Sequence, residues 1–146
     1  MDEMATTSEL RLKKANLRAT KHRVSVLDAL SEAGRPLSHQ EILDHLSGSQ
    51  LDRVTLYRIL SSLRDASLIH QVQGSDGMWR FCSHDEDSPH CPGGHPHLLC
   101  ESCGKMQCLT HCKMQHVDVP NNFKVTHKQM LILGICSDCL NKKENN

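Results

Sequence analysis

Residues 52–82 read DRVTLYRILSSLRDASLIHQVQGSDGMWRFC, and within this stretch the apolar period changes. Asp52 can cap a helix, RVTLYRILSSLRDA, in which Val54, Leu56, Ile59, Leu60 and Leu63 are expected on the buried side. Residues 68–72 and 78–82 then read as two strands around the turn Gly74-Ser-Asp-Gly77. A helix followed directly by a hairpin is the second half of a winged helix-turn-helix. Upstream, Ser38-His-Gln-Glu41 has the form of a capping box and opens a short helix carrying Ile42, Leu43 and Leu46. Further back, Thr20 can cap a helix with Val24, Leu27 and Leu30 at helical spacing, ending near Gly34. Three helices and a hairpin in that order predict a winged helix over residues 1–83.

The helix after Asp52 would be the recognition helix. A major groove admits one helix, and residues near its N-terminal end reach base edges. Arg53, Thr55, Tyr57 and Arg58 are the polar candidates there: arginine can pair with guanine, and a tyrosine ring can pack on a thymine methyl. The alternative places Tyr57 over the small core and Arg58 in solvent. The acid-free basic run Arg11, Lys13, Lys14, Arg18, Lys21, Arg23 is open in the same way, as a nucleic-acid contact or a solvated face. Net charge is zero, which excludes a general polyanion-binding argument.

Past the hairpin the composition shifts. All eight cysteines lie at or after Cys82, and seven of the eleven histidines follow it. The stretch 84–94, SHDEDSPHCPGGH in its wider setting, is rich in acidic residues, proline and glycine and predicts a loop or hinge, with a second domain over 95–146. Cys100-x-x-Cys103 and Cys136-x-x-Cys139 supply four thiolates, the ligand set of a closed tetrahedral zinc site. The rival reading is two redox pairs, which lack the βαβ setting such motifs require. Thirty-two residues separate the pairs, so that segment should be structured. Lys105–Leu109 reads as a strand, His111–Val117 as a short helix and Phe123–Ile135 as a long strand. His95-Pro-His97 alternates along an extended segment, placing two rings on one side. With Cys82, Cys91, Cys108, Cys112 and further histidines nearby, a second site mixing imidazole and thiolate is expected. Such donors suit zinc better than metals that take oxygen shells.

With 146 residues and four Phe, Trp or Tyr side chains, any core is aliphatic and modest, and a metal staple would help a small half to fold. No apolar run is long enough to span a bilayer and the N-terminus lacks a signal-peptide pattern, so a cytoplasmic protein with reduced thiols and no membrane partner is expected. His84-Asp-Glu86 followed by Cys100-x-x-Cys103 superficially matches a zinc deaminase, an enzymatic alternative. Leu99 stands where that pattern needs proline, and the second cysteine pair would close the site to catalytic water.

The stretches LRATKHRVSVLDAL, VTLYRILSSLRDASLIHQV, RFC, HPHLLCESCGK and FKVTHKQMLILGICSDC resemble, in order and over about Leu10–Leu140, the ferric uptake regulator family, and within it the zinc uptake regulators. The resemblance implies an α+β chain: a winged helix-turn-helix that binds palindromic, AT-rich operator DNA, then a small α/β domain that forms a homodimer. It implies a metal-dependent regulator, mostly a repressor, and not an enzyme. Carried over by position, Cys100, Cys103, Cys136 and Cys139 match the structural zinc ligands. Tyr57 and Arg58 match the recognition-helix pair, with Leu56 in place of the usual valine, and Arg18 matches a basic residue that approaches the minor groove. His95 and His97 match the hinge sensory histidines, Cys82 stands where zinc sensors place a cysteine, and His70 falls near a further hinge ligand. Cys108 replaces a common carboxylate. Five side chains, His70, Cys82, His95, His97 and Cys108, thus compete for about four places around a regulatory zinc. His22 replaces a frequent proline, and Lys128 stands where a third-site histidine is usual, with His127 beside it. His90, Cys91, His111 and Cys112 match no family position. The rivals within the family are iron- or peroxide-sensing and thiol-redox regulation, and a zinc module that binds protein alone stands outside it.

Overall fold

The computed structural model describes residues 5–83 and 95–145. The expected hinge loop 84–94, with His84, His90 and Cys91, lies outside them. The first half is built from well-capped helices. Helix α1 (Thr7–Lys14) starts at a capping box in which Thr6 accepts from the Glu9 amide while the Glu9 carboxylate accepts from the Thr6 amide. Thr20 caps α2 (Lys21–Ala33), which ends at Gly34 in the left-handed conformation, φ 61°, where glycine carries no Cβ penalty. Strand β1 (Leu37–Ser38) leads into α3 (His39–His45) through the predicted Ser38/Glu41 box. Asp52 caps α4 (Arg53–Asp65) by accepting from the Thr55 amide at 2.7 Å. The hairpin is β2 (Ile69–Gln73) and β3 (Trp79–Ser83), and with β1 it makes an antiparallel sheet of order β1-β3-β2. Leu12, Leu27, Leu30, Ile42, Leu56, Leu60, Leu63 and Phe81 form one buried cluster under this sheet. The sheet thus continues the helical core into a wing.

The second sheet has the order β5-β4-β6, from β4 (His97–Cys100), β5 (Met106–Cys108) and β6 (Leu131–Gly134). β4 and β6 run parallel, with Cys100 opposite Gly134, so both strands end at the same edge. Helix α5 (Ser137–Glu144) starts there, with Cys136 at its N-cap. Val72 of β2 packs with Leu99 and Met106, and Leu131 closes the group. This small apolar cluster joins the wing to the second sheet.

Three expectations of local structure change, and two helices are added. Val54 is 60% exposed, because at helical spacing it lies with Tyr57 and Arg58, away from Leu56, Ile59, Leu60 and Leu63. Two further helices form that the sequence reading does not include: α1, whose last turn holds the start of the basic run, and α5, which the last cysteine pair opens. The helix expected over His111–Val117 does not form: 113–120 carry no regular structure, and Val117 and Val119 are exposed. Without a buried face, β-branched residues before Pro120 give a short helix no tertiary support. The long strand expected over Phe123–Ile135 shortens to β6, since ladder pairing among the described residues reaches only Leu131–Gly134.

Candidate metal centres and DNA-reading face

The four-cysteine site follows from strand direction. Cys100 ends β4, Cys103 sits on the tight turn closed by Gly104 at φ 76°, and Cys136 and Cys139 occupy the cap and first turn of α5. The parallel β4/β6 pair delivers all four sulfurs to one point, within 4.8 Å of one another. Cys100 and Cys139 Sγ lie 3.9 Å apart, and Cys103 and Cys136 Sγ 3.8 Å. Thiolates bound tetrahedrally to zinc at about 2.3 Å have sulfurs about 3.8 Å apart, so the donor set fits such an ion. The electrostatics agree. The Cys136 amide, at 3.3 Å, and then the Cys103 amide donate to Cys100 Sγ, which lowers its pKa to about 6. Cys139 is pushed up to about 11. Ser102's hydroxyl favours its thiolate, but hydrogen bonds with the Cys136, Cys103 and Cys100 sulfurs, together with burial, outweigh that. Four adjacent thiols cannot all ionise unless a cation joins them.

A second cluster assembles where the two sheets meet. His70 and Cys82 are register partners on β2 and β3, and His97 and Cys108 are register partners on β4 and β5. Partners in an antiparallel ladder point to one face, so each hairpin presents one imidazole and one thiol. Donor atoms of His95, His97 and Cys108 fall within 4.8 Å of one another. Cys82 Sγ lies 3.8 Å from Cys108 Sγ, across the junction. The His70 ring stands 6.2 Å from His95 and 6.0 Å from His97, and the rings of His95 and His97 are 4.6 Å apart. His95, His97 and Cys82 are buried. Of the five side chains named from the sequence, His95, His97 and Cys108 share one point, Cys82 joins them through Cys108, and His70 stands at the edge of the group. Their mixture of nitrogen and sulfur donors is one that zinc accepts. His111, Cys112, His116 and His127 join neither cluster.

On α4, Arg53, Tyr57 and Arg58 are exposed and Thr55 is half-buried. Thr55 uses its amide at the Asp52 cap, and Arg18 is exposed ahead of α2. Two residues not singled out from the sequence hold this face. His39 stacks on Tyr57 with ring centroids 4.3 Å apart, and meets Phe81 edge-on at 5.0 Å. Burial, then the Arg53 charge, lowers the His39 pKa, which favours the neutral ring. Gln40 Oε1 accepts from Arg53 Nη2 at 2.6 Å. The signal for His39 and Gln40 was their position at the start of α3, next to the capping Ser38; only the helix crossing shows what they touch. Val54 joins Tyr57 and Arg58 on the outer face, a placement its spacing from them implied.

A winged helix with an exposed reader face, a four-thiolate knuckle and a mixed imidazole–thiolate cluster at the wing defines a metal-responsive DNA-binding protein. The family model described as "Ferric uptake regulator family" matches residues 14–133. The chain is 28% identical over 140 residues to the peroxide operon regulator of Bacillus subtilis (strain 168), covering 92% of this chain and 91% of that protein. It is 27% identical over 141 residues to the peroxide-responsive repressor of Staphylococcus epidermidis, covering 92% and 88%. Among solved structures, the ferric uptake regulator of Vibrio cholerae superposes with a TM-score of 0.61 at 21% identity, covering 88% of this chain and 98% of that one. A zinc uptake regulator solved with zinc and DNA superposes with a TM-score of 0.60 at 22% identity, covering 96% and 99%. The chain belongs to the ferric uptake regulator family. It is a metal-responsive transcriptional regulator and not an enzyme, which removes the deaminase reading. Among the described residues no helix is long and apolar enough to cross a membrane.

Proposed function

We propose that this protein is a zinc-sensing, cytoplasmic, homodimeric repressor that binds palindromic AT-rich operators. The observation that carries the reading is the two thiols and three imidazoles gathered at the junction of wing and second sheet. In this reading residues 1–83 read DNA, 84–94 are the hinge and 95–146 dimerise. Zinc held by Cys100, Cys103, Cys136 and Cys139 is structural, because four thiolates leave no open position. The regulatory ion takes its ligands from His70, Cys82, His95, His97 and Cys108, and when bound it supplies a crosslink between the two sheets. His70 and Cys82 belong to the wing; His95, His97 and Cys108 belong to the second sheet. Ligands on both sides restrain the angle between the reader and the dimer. In a two-fold dimer that angle places two α4 helices at the half-site spacing of a palindrome. Coupling of about 1–3 kcal/mol between the sites suffices for a useful switch.

At the reader, Tyr57 packs on a thymine methyl, Arg53 and Arg58 serve base edges or phosphates, Thr55 lies at the helix start and Arg18 approaches the minor groove. The peroxide-responsive relatives favour a second reading, an iron-dependent peroxide sensor. The two sulfurs in the hinge cluster oppose it, since iron sensing of peroxide is served by oxygen and nitrogen donors. The test uses duplexes selected from a random pool by the zinc-loaded protein. Anisotropy titrations with zinc, iron(II) and manganese(II) should show at least tenfold tightening with zinc, lost in Cys82→Ser while one zinc per subunit stays bound. Equal binding by Cys82→Ser and wild type across the zinc titration would overturn the reading. Tightening with iron and release by peroxide would establish the second.

A further inference from the structure

Arg80 heads the fully buried side chains by size, and it carries a charge. It lies on β3 between two residues that face elsewhere, and its guanidinium serves both halves of the molecule. Nη1 and Nη2 donate to Oδ1 and Oδ2 of Asp76, in the wing turn, at 3.1 and 2.8 Å. Nη1 also approaches the Met78 carbonyl at 3.4 Å. Nη2 donates at 2.9 Å to the carbonyl of Gly104, the residue that follows Cys103 in the four-cysteine knuckle. A bidentate carboxylate plus a carbonyl from another domain is a planar, directed arrangement that lysine cannot reproduce.

The surroundings are shaped for this group. A Cβ at Gly74 would lie 2.3 Å from Arg80 Nη1, 2.6 Å from Asp76 Oδ1 and 3.2 Å from Leu99 Cδ2, so glycine is needed there for space. Val72, Leu99, Met106 and Leu131 seal one side of the same junction. Beside them the Gln73 amide donates to Gln129 Oε1 at 3.0 Å, and Gln129 Nε2 donates back to the Gln73 carbonyl. None of these contacts involves the hinge cluster.

We propose that Arg80 is a positioning residue that latches the wing to the four-cysteine knuckle, so that the orientation of the DNA-reading half is fixed at two points, the hinge ligands and this latch. The knuckle then does more than hold the second domain together. The Gly104 carbonyl is placed by the Cys100–Cys103 turn, and a knuckle that opens withdraws the one acceptor that the second sheet gives Arg80, whose buried Nε already has no hydrogen-bond partner among the described residues. The latch deepens the DNA-reading function proposed above and rests on it.

The test uses the full-length, zinc-loaded protein and three variants: Arg80→Met, which keeps length without charge, Gly74→Ala, which pushes a methyl against the guanidinium, and the double variant. Zinc content, affinity for the selected duplex and the distance between spin labels on non-canonical residues at positions 65 and 107 are measured. Arg80→Met should keep its zinc, broaden the distance distribution and lose tenfold or more in affinity at saturating zinc. Gly74→Ala should do the same alone and add less than twofold in the Arg80→Met background. The latch is refuted if Arg80→Met lowers melting temperature while distance and affinity stay as in wild type. It is equally refuted if Gly74→Ala harms both backgrounds alike. Should Arg80→Met not fold, the distance distribution of Gly74→Ala against wild type decides. Should wild type itself bind no selected duplex in a zinc-dependent way, the functional reading fails, and the distance measurements still judge the latch.

Discussion

In the proposed reading, Tyr57 is the residue on which DNA contact turns. Its ring is 57% exposed on α4, yet one face is covered by His39. Stacked aromatic pairs contribute about 0.5–1.5 kcal/mol beyond burial, and here the stack restricts the ring, which would preorganise it for the proposed DNA contact. Tyr57→Ala should weaken binding of the selected duplex, and the loss should shrink when thymines in the site are replaced by uracil. His39→Ala should cost about 0.5–1.5 kcal/mol of binding, and His39→Phe should restore most of it. Rescue by phenylalanine marks stacking as the cause; if His39→Ala binds like wild type, Tyr57 needs no such support. Burial and Arg53 both favour the neutral His39 ring, which a phenylalanine can mimic.

At the scale of elements, the wing carries two tasks with two faces. One face of β2 and β3 continues the core through Ile69 and Phe81, and the other delivers His70 and Cys82 to the hinge cluster. Helix α4 is tied to the core by Leu56, Leu60 and Leu63, each almost wholly buried. Leu60→Ala should destabilise the fold by about 2–5 kcal/mol in chemical denaturation, through lost transfer energy and a residual cavity. The wing turn has its own acid sensitivity. Hydrogen bonds from Arg80 hold the Asp76 carboxyl at about 2, against the raising effect of burial and with further help from the Met78 amide. A carboxyl lowered in the folded state stabilises it above the usual carboxylate range, and that contribution disappears as pH falls toward about 2. The melting temperatures of wild type and Asp76→Asn should therefore differ at neutral pH and converge between about pH 4 and 2. A constant difference over that interval would place the Asp76 effect outside ionisation.

For the whole molecule, the proposed reading divides support from response between the two clusters. Cys103→Ser removes a thiolate from the knuckle where no other described residue can replace it. It should abolish the tightly held metal and lower thermal stability steeply, since binding energy at such a site is folding energy. Cys82→Ser should leave melting in the zinc-replete protein within a few degrees of wild type and remove only the metal-dependent DNA binding. Gentle chelation should reproduce the Cys82→Ser behaviour first and the Cys103→Ser behaviour later. Metal analysis of the chelated protein, sampled over time against operator binding, separates the two stages. Simultaneous loss of both metals and of structure would show that support and response are a single event.

Short-range rules were enough for much of this protein. The caps at Thr20, Ser38 and Asp52 fix helix starts through local hydrogen bonds, and the Gly74–Gly77 turn fixes the hairpin, so these were legible residue by residue. Two cysteine pairs at two-residue spacing likewise declare a four-thiolate knuckle, because each pair is a turn that aims two sulfurs one way. What lay beyond the sequence depends on neighbours distant in the chain. Whether 111–130 forms helix or strand depends on a packing partner, and local propensity misjudged it; helix α5 likewise went unread. The gathering of His70 and Cys82 with His95, His97 and Cys108 was suggested by resemblance to a family, but it is register in two separate sheets and their docking that set the distances. Arg80 looked like one more polar residue in a strand. Only the docked wing, with Gly74 leaving room and the Gly104 carbonyl within reach, turns it into a buried link: Asp76 and that carbonyl serve Nη1 and Nη2, while the buried Nε meets no acceptor among the described residues, and a charge stays inside only where tertiary structure brings such acceptors to it.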